Sequence, residues 1–162
     1  MLADPSIVRD AAPEEFDVLA ALWHQGWRDA HLAIVPPALA ALRTLDSFTT
    51  RLAAALAEVR VAGPGGAPLG FHLLKDDELY QFYVAAPARG TGVAAALMHD
   101  AEQRLVERGV GTAWLACAIG NARAARFYEK CGWRLAATVT SPLDTPAGIF
   151  PLDVWRYEKR LR

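Results

Sequence analysis

One stretch, residues 83–109, restricts the possible folds of this 162-residue chain more than any other. The pattern predicts a short apolar strand that ends at Val84, a glycine loop at Arg89–Gly92, and an alanine-rich helix that begins directly after the loop. The first N–H groups of a helix have no partner within the helix and lie at the positive end of its dipole. This loop could therefore bind a phosphate group through backbone N–H groups alone.

The glycine pair Gly90 and Gly92 is a weak indication by itself, because most loops of this kind are simple turns. Two features of the context strengthen it: the loop joins a strand directly to a helix, and that helix carries no charge before Asp100. The small side chain of Ala94 would also allow a pyrophosphate to approach the backbone. The loop matches neither the Gly-Lys-Ser/Thr loop of nucleoside triphosphatases nor the three-glycine dinucleotide fingerprint.

Length and composition predict a single globular domain over residues 1–162. The net charge of −1 provides no basic field for nucleic acid or for an anionic membrane. No apolar run approaches the roughly 20 residues of a membrane-spanning helix, and the N-terminus has no apolar signal core. Cys117 and Cys131 lack the spacing of metal ligands and are interpreted as reduced thiols. We therefore expect a cytoplasmic protein with no metal and with no nucleic-acid or membrane partner.

Periodicity and turn residues predict the element order β, helices, βββ, α, β, α, ββ. Before the loop, the predicted elements are a strand at 6–11, helices at 13–37 and 37–58, and strands at 59–62, 69–74 and 78–84. After the loop they are a helix at 91–108, a strand at 112–118, a helix at 122–131, and strands at 134–140 and 152–159. The second helical stretch is expected to break near Asp46 and Ser47, one of which would be its N-cap.

Strict alternation makes a further prediction for strand 78–84, because successive side chains of a strand point to opposite faces. One face is expected to hold Glu78, Tyr80, Phe82 and Val84. The nearly continuous apolar run at 112–118 predicts a strand that is covered on both faces. His72, in the strand at 69–74, is expected at the surface, and the proline-rich residues 141–151 are expected to form a loop.

Two motifs carry a family resemblance. Arg89–Ala94 (RGTGVA) resembles the Arg/Gln-x-x-Gly-x-Gly/Ala signature of the GNAT acyltransferases, and Asn121–Trp133 (NARAARFYEKCGW) resembles the second signature of that family. The motifs lie about 30 residues apart, with a predicted helix and strand between them. The resemblance spans roughly residues 59–159. It implies an α/β GNAT acyltransferase fold, in which a splayed mixed sheet of six or seven strands is flanked by about four helices.

The resemblance also implies acetyl-CoA as the co-substrate. The residues that it assigns to cofactor binding are Phe82, Tyr83, Val84, Arg89, Gly90, Thr91, Gly92, Val93, Ala94, Asn121 and Tyr128. The loop would bind the pyrophosphate, and residues 82–84 would pair with the pantetheine arm as an added strand would. The N–H of Val84 would donate to the thioester carbonyl. Asn121 would contact the pantetheine, or cap the following helix, or do both.

Two residues are candidates for acid–base chemistry. In the family, the tyrosine at the position of Tyr128 protonates the departing CoA thiolate, whose pKa is near 8.5. The alternative is that Tyr128 only packs in the core. Glu78 resembles the catalytic glutamate of the histone acetyltransferases and could accept the proton of the amine, or it could be a solvated charge that ends a turn. The glutamate that ribosomal-protein acetyltransferases use is replaced by Ala116, which argues against their mechanism.

The remaining candidates are less specific. An acceptor pocket could be lined by Trp23, Trp27, His31 and Tyr80, and closed by Trp155 or Phe150. A basic stripe could face the CoA phosphates or could be a solvated helix face; it consists of Arg123, Arg126, Lys130 and Arg134. Cys117 is interpreted as a core residue, because no histidine is placed in the sequence to activate it.

The predicted function is acetyl-CoA-dependent N-acetyltransfer to a primary amine by direct attack. The amine could belong to a small molecule, an amino acid, an antibiotic or a peptide N-terminus. Two alternatives come from other classes: a non-catalytic acyl-CoA-sensing module, against which Tyr128 counts, and an inert protein-interaction domain, which would bind no CoA. A homodimer formed through the late hairpin is a further expectation, by analogy with the family.

Overall fold

The computed structural model describes Asp4 and residues 6–162. The strands in this part of the chain are β1 (Val8–Asp10), β2 (Val59–Ala62), β3 (Gly70–Lys75), β4 (Glu78–Val84), β5 (Thr112–Ala118), β6 (Arg134–Thr145) and β7 (Gly148–Arg160). The helices are α1 (Phe16–His31), α2 (Pro37–Leu42), α3 (Leu45–Ala55), α4 (Val93–Glu107) and α5 (Ala122–Lys130). Short 3-10 helices lie at Pro13–Glu15, Leu56–Glu58 and Ala86–Ala88.

The strands form one mixed seven-stranded sheet in the order β1-β2-β3-β4-β5-β7-β6. All neighbours are antiparallel except β4 and β5, which are parallel and pair only through Glu78 and Trp114. Beyond that pair the two strands diverge toward their C-terminal ends and leave a slot in the middle of the sheet. The predicted α/β class with a splayed, mixed sheet is confirmed, with five α-helices in the described chain.

Helices cover both faces of the sheet. The face with α1, α2 and α3 buries a cluster around Trp23, Phe48 and Phe71, whereas the face with α4 and α5 buries a cluster around Leu105 and Leu115. Each cluster removes large apolar side chains from water, which is the dominant favourable term in folding. The three layers hold the slot between β4 and β5 at the centre of the molecule.

Two predicted helix boundaries differ from the structure. The break in the second helical stretch lies at Arg43 and Thr44, and Thr44 is the N-cap of α3, because its side chain accepts a hydrogen bond from the N–H of Ser47 at 3.2 Å. The prediction that Asp46 or Ser47 is the N-cap is wrong, since both residues lie within the first turn of α3. The first helix begins at Phe16, because Pro13–Glu15 form a 3-10 helix.

Coverage of the strands also differs from the prediction. Thr112 and Ala116 are exposed, so β5 is covered on one face only; its other face borders a cavity. The expected loop at 141–151 is instead part of a long β6–β7 hairpin in which Pro142 lies opposite Pro151. Proline fits a strand where its missing N–H is not needed, and two opposed prolines satisfy that condition together.

His72 is buried, with 1% of its surface exposed, and the expectation of a surface residue is wrong. Its Nε2 lies 2.7 Å from an oxygen of Asp100 on α4, and Arg60 donates to the same carboxylate at 3.0 Å. A buried polar ring needs such partners. The partners come from distant parts of the sequence, which local alternation cannot reveal.

No helix in the described part of the chain has the length and hydropathy to cross a membrane.

Candidate active site

A bulge in β4 determines which side chains reach the site. The register changes so that Leu73 pairs with Gln81 but Leu74 pairs with Leu79, which leaves Tyr80 as an extra residue in β4. A bulge of this kind reverses the alternation of side chains beyond it. Tyr80 and Tyr83 therefore both pack on the side of α1–α3.

The predicted face of β4 is wrong for the same reason. Phe82 and Val84 pack on the α4 side of the sheet, whereas Glu78 and Tyr80 line a cavity on the opposite side. An inserted residue leaves no trace in the hydrophobic pattern of a seven-residue strand.

The N–H groups of β4 are divided between its two neighbours. The N–H of Ala85 donates to the carbonyl of Leu69 at 2.8 Å, toward β3. Because successive N–H groups in a strand point in opposite directions, those of Val84 and Phe82 point away from β3 and into the slot. The diverging β5 offers them no partner. The slot therefore presents strand-like donors along one wall.

A first cavity of about 260 Å³ fills this slot. It brings together most of the predicted cofactor-binding residues, namely Phe82, Tyr83, Val84, Arg89, Gly90, Ala94, Asn121 and Tyr128. Three predicted residues do not line it: Thr91 and Gly92 are exposed in the loop, and the side chain of Val93 is buried in the core. Any contribution of these three to a ligand comes through the backbone.

The glycine loop has the geometry of an anion site. Gly90 and Gly92 have φ angles of +77° and +92°, which favour glycine, and Thr91 is held by hydrogen bonds from its N–H and hydroxyl to the carbonyl of Ala88. Within the described residues, five other N–H groups of the loop and the first helical turn donate to no protein acceptor; these are the N–H groups of Gly90, Gly92, Val93, Ala94 and Ala95. Several unpaired donors at a helix N-terminus suit a pyrophosphate.

The polar residues at the mouth of the first cavity have more than one role. Asn121 caps α5, because its side chain accepts from the N–H of Ala124 at 3.4 Å, and it also lines the cavity. The Nη2 atom of Arg89 lies 3.7 Å from Oδ2 of Asp29. Arg123 lines the same cavity, and burial together with the nearby Arg89 lowers its pKa.

The rest of the predicted basic stripe is separate from this mouth. Arg126 and Lys130 are exposed, and Arg134 pairs with Glu158 at 3.3 Å. Of the four cations, only Arg123 borders the first cavity. The stripe is therefore mainly a solvated helix face.

Tyr128 packs in the core and also borders the first cavity, so its packing does not prevent contact with a ligand there. It is 9% exposed, and its ring lies 6.5 Å from that of Phe82 and 6.2 Å from that of Tyr157, between centroids. Burial raises the pKa of Tyr128 well above its usual value. The phenol therefore stays protonated at neutral pH and can donate a hydrogen bond.

A second cavity of about 250 Å³ lies between β4, β5, the late hairpin and the helices α1–α3. Of the predicted acceptor residues, Trp27, His31 and Tyr80 line it, whereas Trp23 does not, because its ring is buried in the core. His31 stacks on Trp27, and burial lowers the pKa of its ring to about 4, so it is neutral at pH 7. The residues expected to close the pocket, Trp155 and Phe150, are not among its lining residues; Leu143, Leu152 and Val154 take their place.

The two cavities meet in the slot. Both are lined by His31, Tyr80, Gln81, Tyr83, Ala116 and Ala118. Glu78 lines the second cavity, and burial raises the pKa of its carboxyl group to about 7. A carboxyl group with a pKa near neutral can exchange protons at physiological pH.

Sequence reasoning missed two arginines. Arg43, at the end of α2, and Arg51, in α3, both line the second cavity. Their only local signal was a cation within a mostly apolar helical region, and that signal does not distinguish a surface arginine from a buried one.

Cys117 also borders the first cavity, where burial raises the pKa of its thiol to about 12. The thiolate that a nucleophile requires is therefore disfavoured. Among the described residues, no group of three or more His, Cys, Asp and Glu side chains is arranged to hold a metal ion.

Comparison with known proteins identifies the class of enzyme. Residues 19–133 match the Acetyltransferase (GNAT) family. An uncharacterised N-acetyltransferase of Mycobacterium tuberculosis is 32% identical over 117 residues, which cover 67% of this chain and 75% of that protein. The chain therefore belongs to the Acetyltransferase (GNAT) family and is an acetyltransferase.

Solved structures support the fold. A GCN5-related N-acetyltransferase from Rhodopseudomonas palustris is 21% identical, with a TM-score of 0.73 and coverage of 99% of this chain and 98% of that one. The putative acetyltransferase yncA from Salmonella typhimurium, solved with its cofactor acetyl-CoA, is 16% identical, with a TM-score of 0.70 and coverage of 96% and 94%. At this level of identity, the likeness establishes the GNAT fold.

Proposed function

We propose that this enzyme transfers the acetyl group of acetyl-CoA to a primary amine by direct attack. The observation that carries the proposal is the meeting of two cavities in the β4–β5 slot. One is bordered by an anion-binding loop and a protonated tyrosine, and the other contains a carboxyl group with a pKa of about 7. An acyl donor and an amine acceptor would enter from opposite sides and react where the cavities join.

Acetyl-CoA is the co-substrate, and the first cavity suits it. The unpaired N–H groups of Gly90 and of residues 92–95 would hold the pyrophosphate, and the N–H groups of Phe82 and Val84 would pair with the pantetheine arm. The sequence predicts Val84 as the donor to the thioester carbonyl. The contact between the rings of Tyr128 and Phe82 favours the N–H of Phe82 for this role, with Val84 nearer the phosphate end.

The acceptor is protonated at the start, and its nitrogen must lose two protons in total before it becomes the amide nitrogen of the product. Glu78 would accept the first, directly or through water, and so produce the neutral amine. The nitrogen then bonds to the acetyl carbon, the C–S bond breaks, and its electron pair leaves on sulfur. Tyr128 would donate a hydrogen bond to that sulfur, which takes up the second proton as the product becomes CoA thiol.

Direct attack is supported because no suitable nucleophile lies near the slot among the residues that the structure describes. Cys117 is the residue there that could form an acyl intermediate, and its raised pKa keeps it protonated. Ala116 occupies the position of the glutamate that ribosomal-protein acetyltransferases use, so the proposal assigns proton acceptance to Glu78.

The test is acetyl-CoA turnover, measured as thiol release, across a panel of amino acids, other small amines and peptides. We expect turnover that depends on both acetyl-CoA and an acceptor. If acetyl-CoA raises the Tm but no acceptor reacts, the enzyme proposal is wrong and a sensing module is favoured. If acetyl-CoA neither binds nor reacts, the assignment of the first cavity is wrong.

The loop makes its own prediction. Replacing Gly92 by alanine is expected to raise the Kd for acetyl-CoA about tenfold, because a Cβ disfavours the left-handed backbone and moves the N–H groups that face the phosphates. The matched control is Gly148→Ala, which imposes similar strain at a hairpin turn with φ +102°. Calorimetry should show a weakened Kd in the first variant only; an unchanged Kd would contradict a phosphate role for this loop.

We place the enzyme in the cytoplasm, which is supported by two free cysteines, Cys117 and Cys131. We also propose that it forms a homodimer through β6, an edge strand of 12 residues that is exposed along most of its length and carries the half-exposed Leu135.

A further inference from the structure

Two arginines line the second cavity, and the described chain provides neither of them with a carboxylate partner. Neither Arg43 nor Arg51 takes part in an ion pair within 4.0 Å in this part of the molecule. We propose, building on the acetyltransfer proposed above, that the acceptor is a small amine that carries a carboxylate, and that Arg43 and Arg51 bind this carboxylate.

Arg43 provides the main observation. It is only 4% exposed, its Nη1 donates to the backbone carbonyl of Asp144 at 2.8 Å, and its Nε has no hydrogen-bond partner. A buried cation is costly unless it is paired and fully hydrogen-bonded. A carboxylate in the cavity would supply both the missing charge and a missing acceptor.

Arg51 is held in place beside it. Its guanidinium lies 4.5 Å from the centroid of the Trp23 ring, and its Nη2 donates to the hydroxyl of Tyr80 at 3.1 Å. The stacking and the hydrogen bond together fix the plane of the guanidinium group of Arg51. A preorganised guanidinium loses little freedom when it binds a carboxylate, which favours recognition.

The other charged groups of the cavity leave this end positive. Burial and the nearby Arg51 lower the pKa of Arg43 to about 10, so it remains charged at pH 7. The exposed Asp144 offsets part of that charge from a distance, while Lys75 and Glu78 lie along β3 and β4. Two cations partly balanced by Asp144 match a singly charged carboxylate better than a doubly charged phosphate.

The arrangement of the cavity orients such an acceptor. The carboxylate would lie at the arginines, which come from the helices, and the amine would lie at the slot, where both cavities meet. The cavity of about 250 Å³ is slightly below the roughly 300–1,000 Å³ of ligand pockets for drug-sized molecules, which favours a compact acceptor such as an amino acid.

The experiment compares matched acceptors. Each of the common L-amino acids, together with β-alanine and 4-aminobutyrate, is assayed beside its own carboxamide, and phosphoethanolamine forms a separate arm. We expect kcat/KM for the best carboxylate to exceed that of its carboxamide about 10- to 100-fold. Arg43→Gln and Arg51→Gln should each reduce this preference to a few-fold, mainly through KM for the carboxylate, whereas Lys75→Gln, which removes an exposed cation from the same cavity, should leave it unchanged.

The ratio is the critical readout, because both acceptors are assayed with the same variant and any loss of folded enzyme cancels. Equal rates for carboxylates and carboxamides, or a ratio that neither arginine variant changes, would overturn the inference while acetyltransfer to amines stands. A preference for phosphoethanolamine would overturn the carboxylate in favour of a phosphate. If no amine reacts at all, the proposed function fails together with this inference.

Discussion

Replacing Tyr128 by phenylalanine is expected to lower kcat about 10- to 100-fold, with the Kd for acetyl-CoA changed by less than about twofold. The variant removes one hydroxyl and keeps the ring that packs against Phe82 and Tyr157. General acids contribute about 10²–10⁴-fold to many reactions. The effect expected here lies at or below the lower end of that range, because a thiolate with a pKa near 8.5 is already a fair leaving group.

The high pKa of Tyr128 determines how it would act. Burial holds that pKa above the value of an exposed tyrosine, so full transfer of the phenolic proton to a thiolate is uphill. The phenol is therefore better suited to donate a hydrogen bond to sulfur while negative charge develops there. Since the phenol does not ionise below about pH 10, ionisation of Tyr128 should cause no decrease in rate on the alkaline side of the pH–rate profile up to that pH.

Pre-steady-state thiol release at saturating acetyl-CoA would measure the chemical step directly. Tyr157→Phe is the matched control, because it removes a hydroxyl from the same aromatic cluster at a residue that lines neither cavity. We expect the control to retain the rate of the parent. Equal rates in the parent and in Tyr128→Phe would contradict the acid assignment and leave the fold and the loop unaffected.

Most of the residues that line the first cavity, where we propose that the cofactor binds, could be predicted from the sequence because the segments that carry them are local. The strand, loop and helix around residues 83–109 are continuous in sequence, so their relative positions follow from secondary structure. Asn121 and Tyr128 lie in one short motif, at the N-cap and in the last turn of α5. The parallel pairing of β4 with β5 brings the two motifs to one slot.

The second cavity could be predicted only in part: Trp27, His31, Tyr80 and Glu78 were candidates, whereas its arginines and its hairpin wall were not. It is assembled from α1, α2, α3, the β4 bulge and the late hairpin, which are far apart in the chain. Arg43 contacts the backbone of Asp144, about 100 residues later. His72 was misplaced for a related reason, since its partner Asp100 belongs to a different element. Tertiary contacts decide burial in these cases, and a local pattern does not encode them.

Replacing Glu78 by glutamine tests the other side of the reaction. Glutamine keeps the shape of the side chain and cannot accept a proton, so we expect kcat near pH 8 to fall about 100-fold. The parent should also show an acidic limb: below about pH 7 the carboxyl of Glu78 is protonated and inactive as a base, and activity rises as pH increases through its raised pKa. In the variant this limb should disappear.

The acceptor amine also titrates, so the two limbs must be separated. The assay uses saturating acceptors whose amine pKa values differ; a limb that belongs to Glu78 stays near pH 7 for all of them, whereas an amine limb moves with the acceptor. Asp76→Asn is the matched control, because Asp76 is an exposed carboxylate in the turn just before β4. If the acidic limb of the pH–rate profile is unchanged in Glu78→Gln, the base is another group or water.

The lower kcat expected for Glu78→Gln should not result from a loss of folded protein. The folded-state pKa of Glu78 is raised above its unfolded value near 4.3, so the folded protein binds more protons between about pH 4.3 and 7, and stability from this group falls as pH rises through that window. At pH 8 the partly buried, ionised carboxylate of Glu78 therefore destabilises the folded protein, and replacement by glutamine removes this penalty. The variant should unfold at a Tm no lower than that of the parent while it loses most of its activity, and that opposite movement is the signature of a group that is buried for proton transfer.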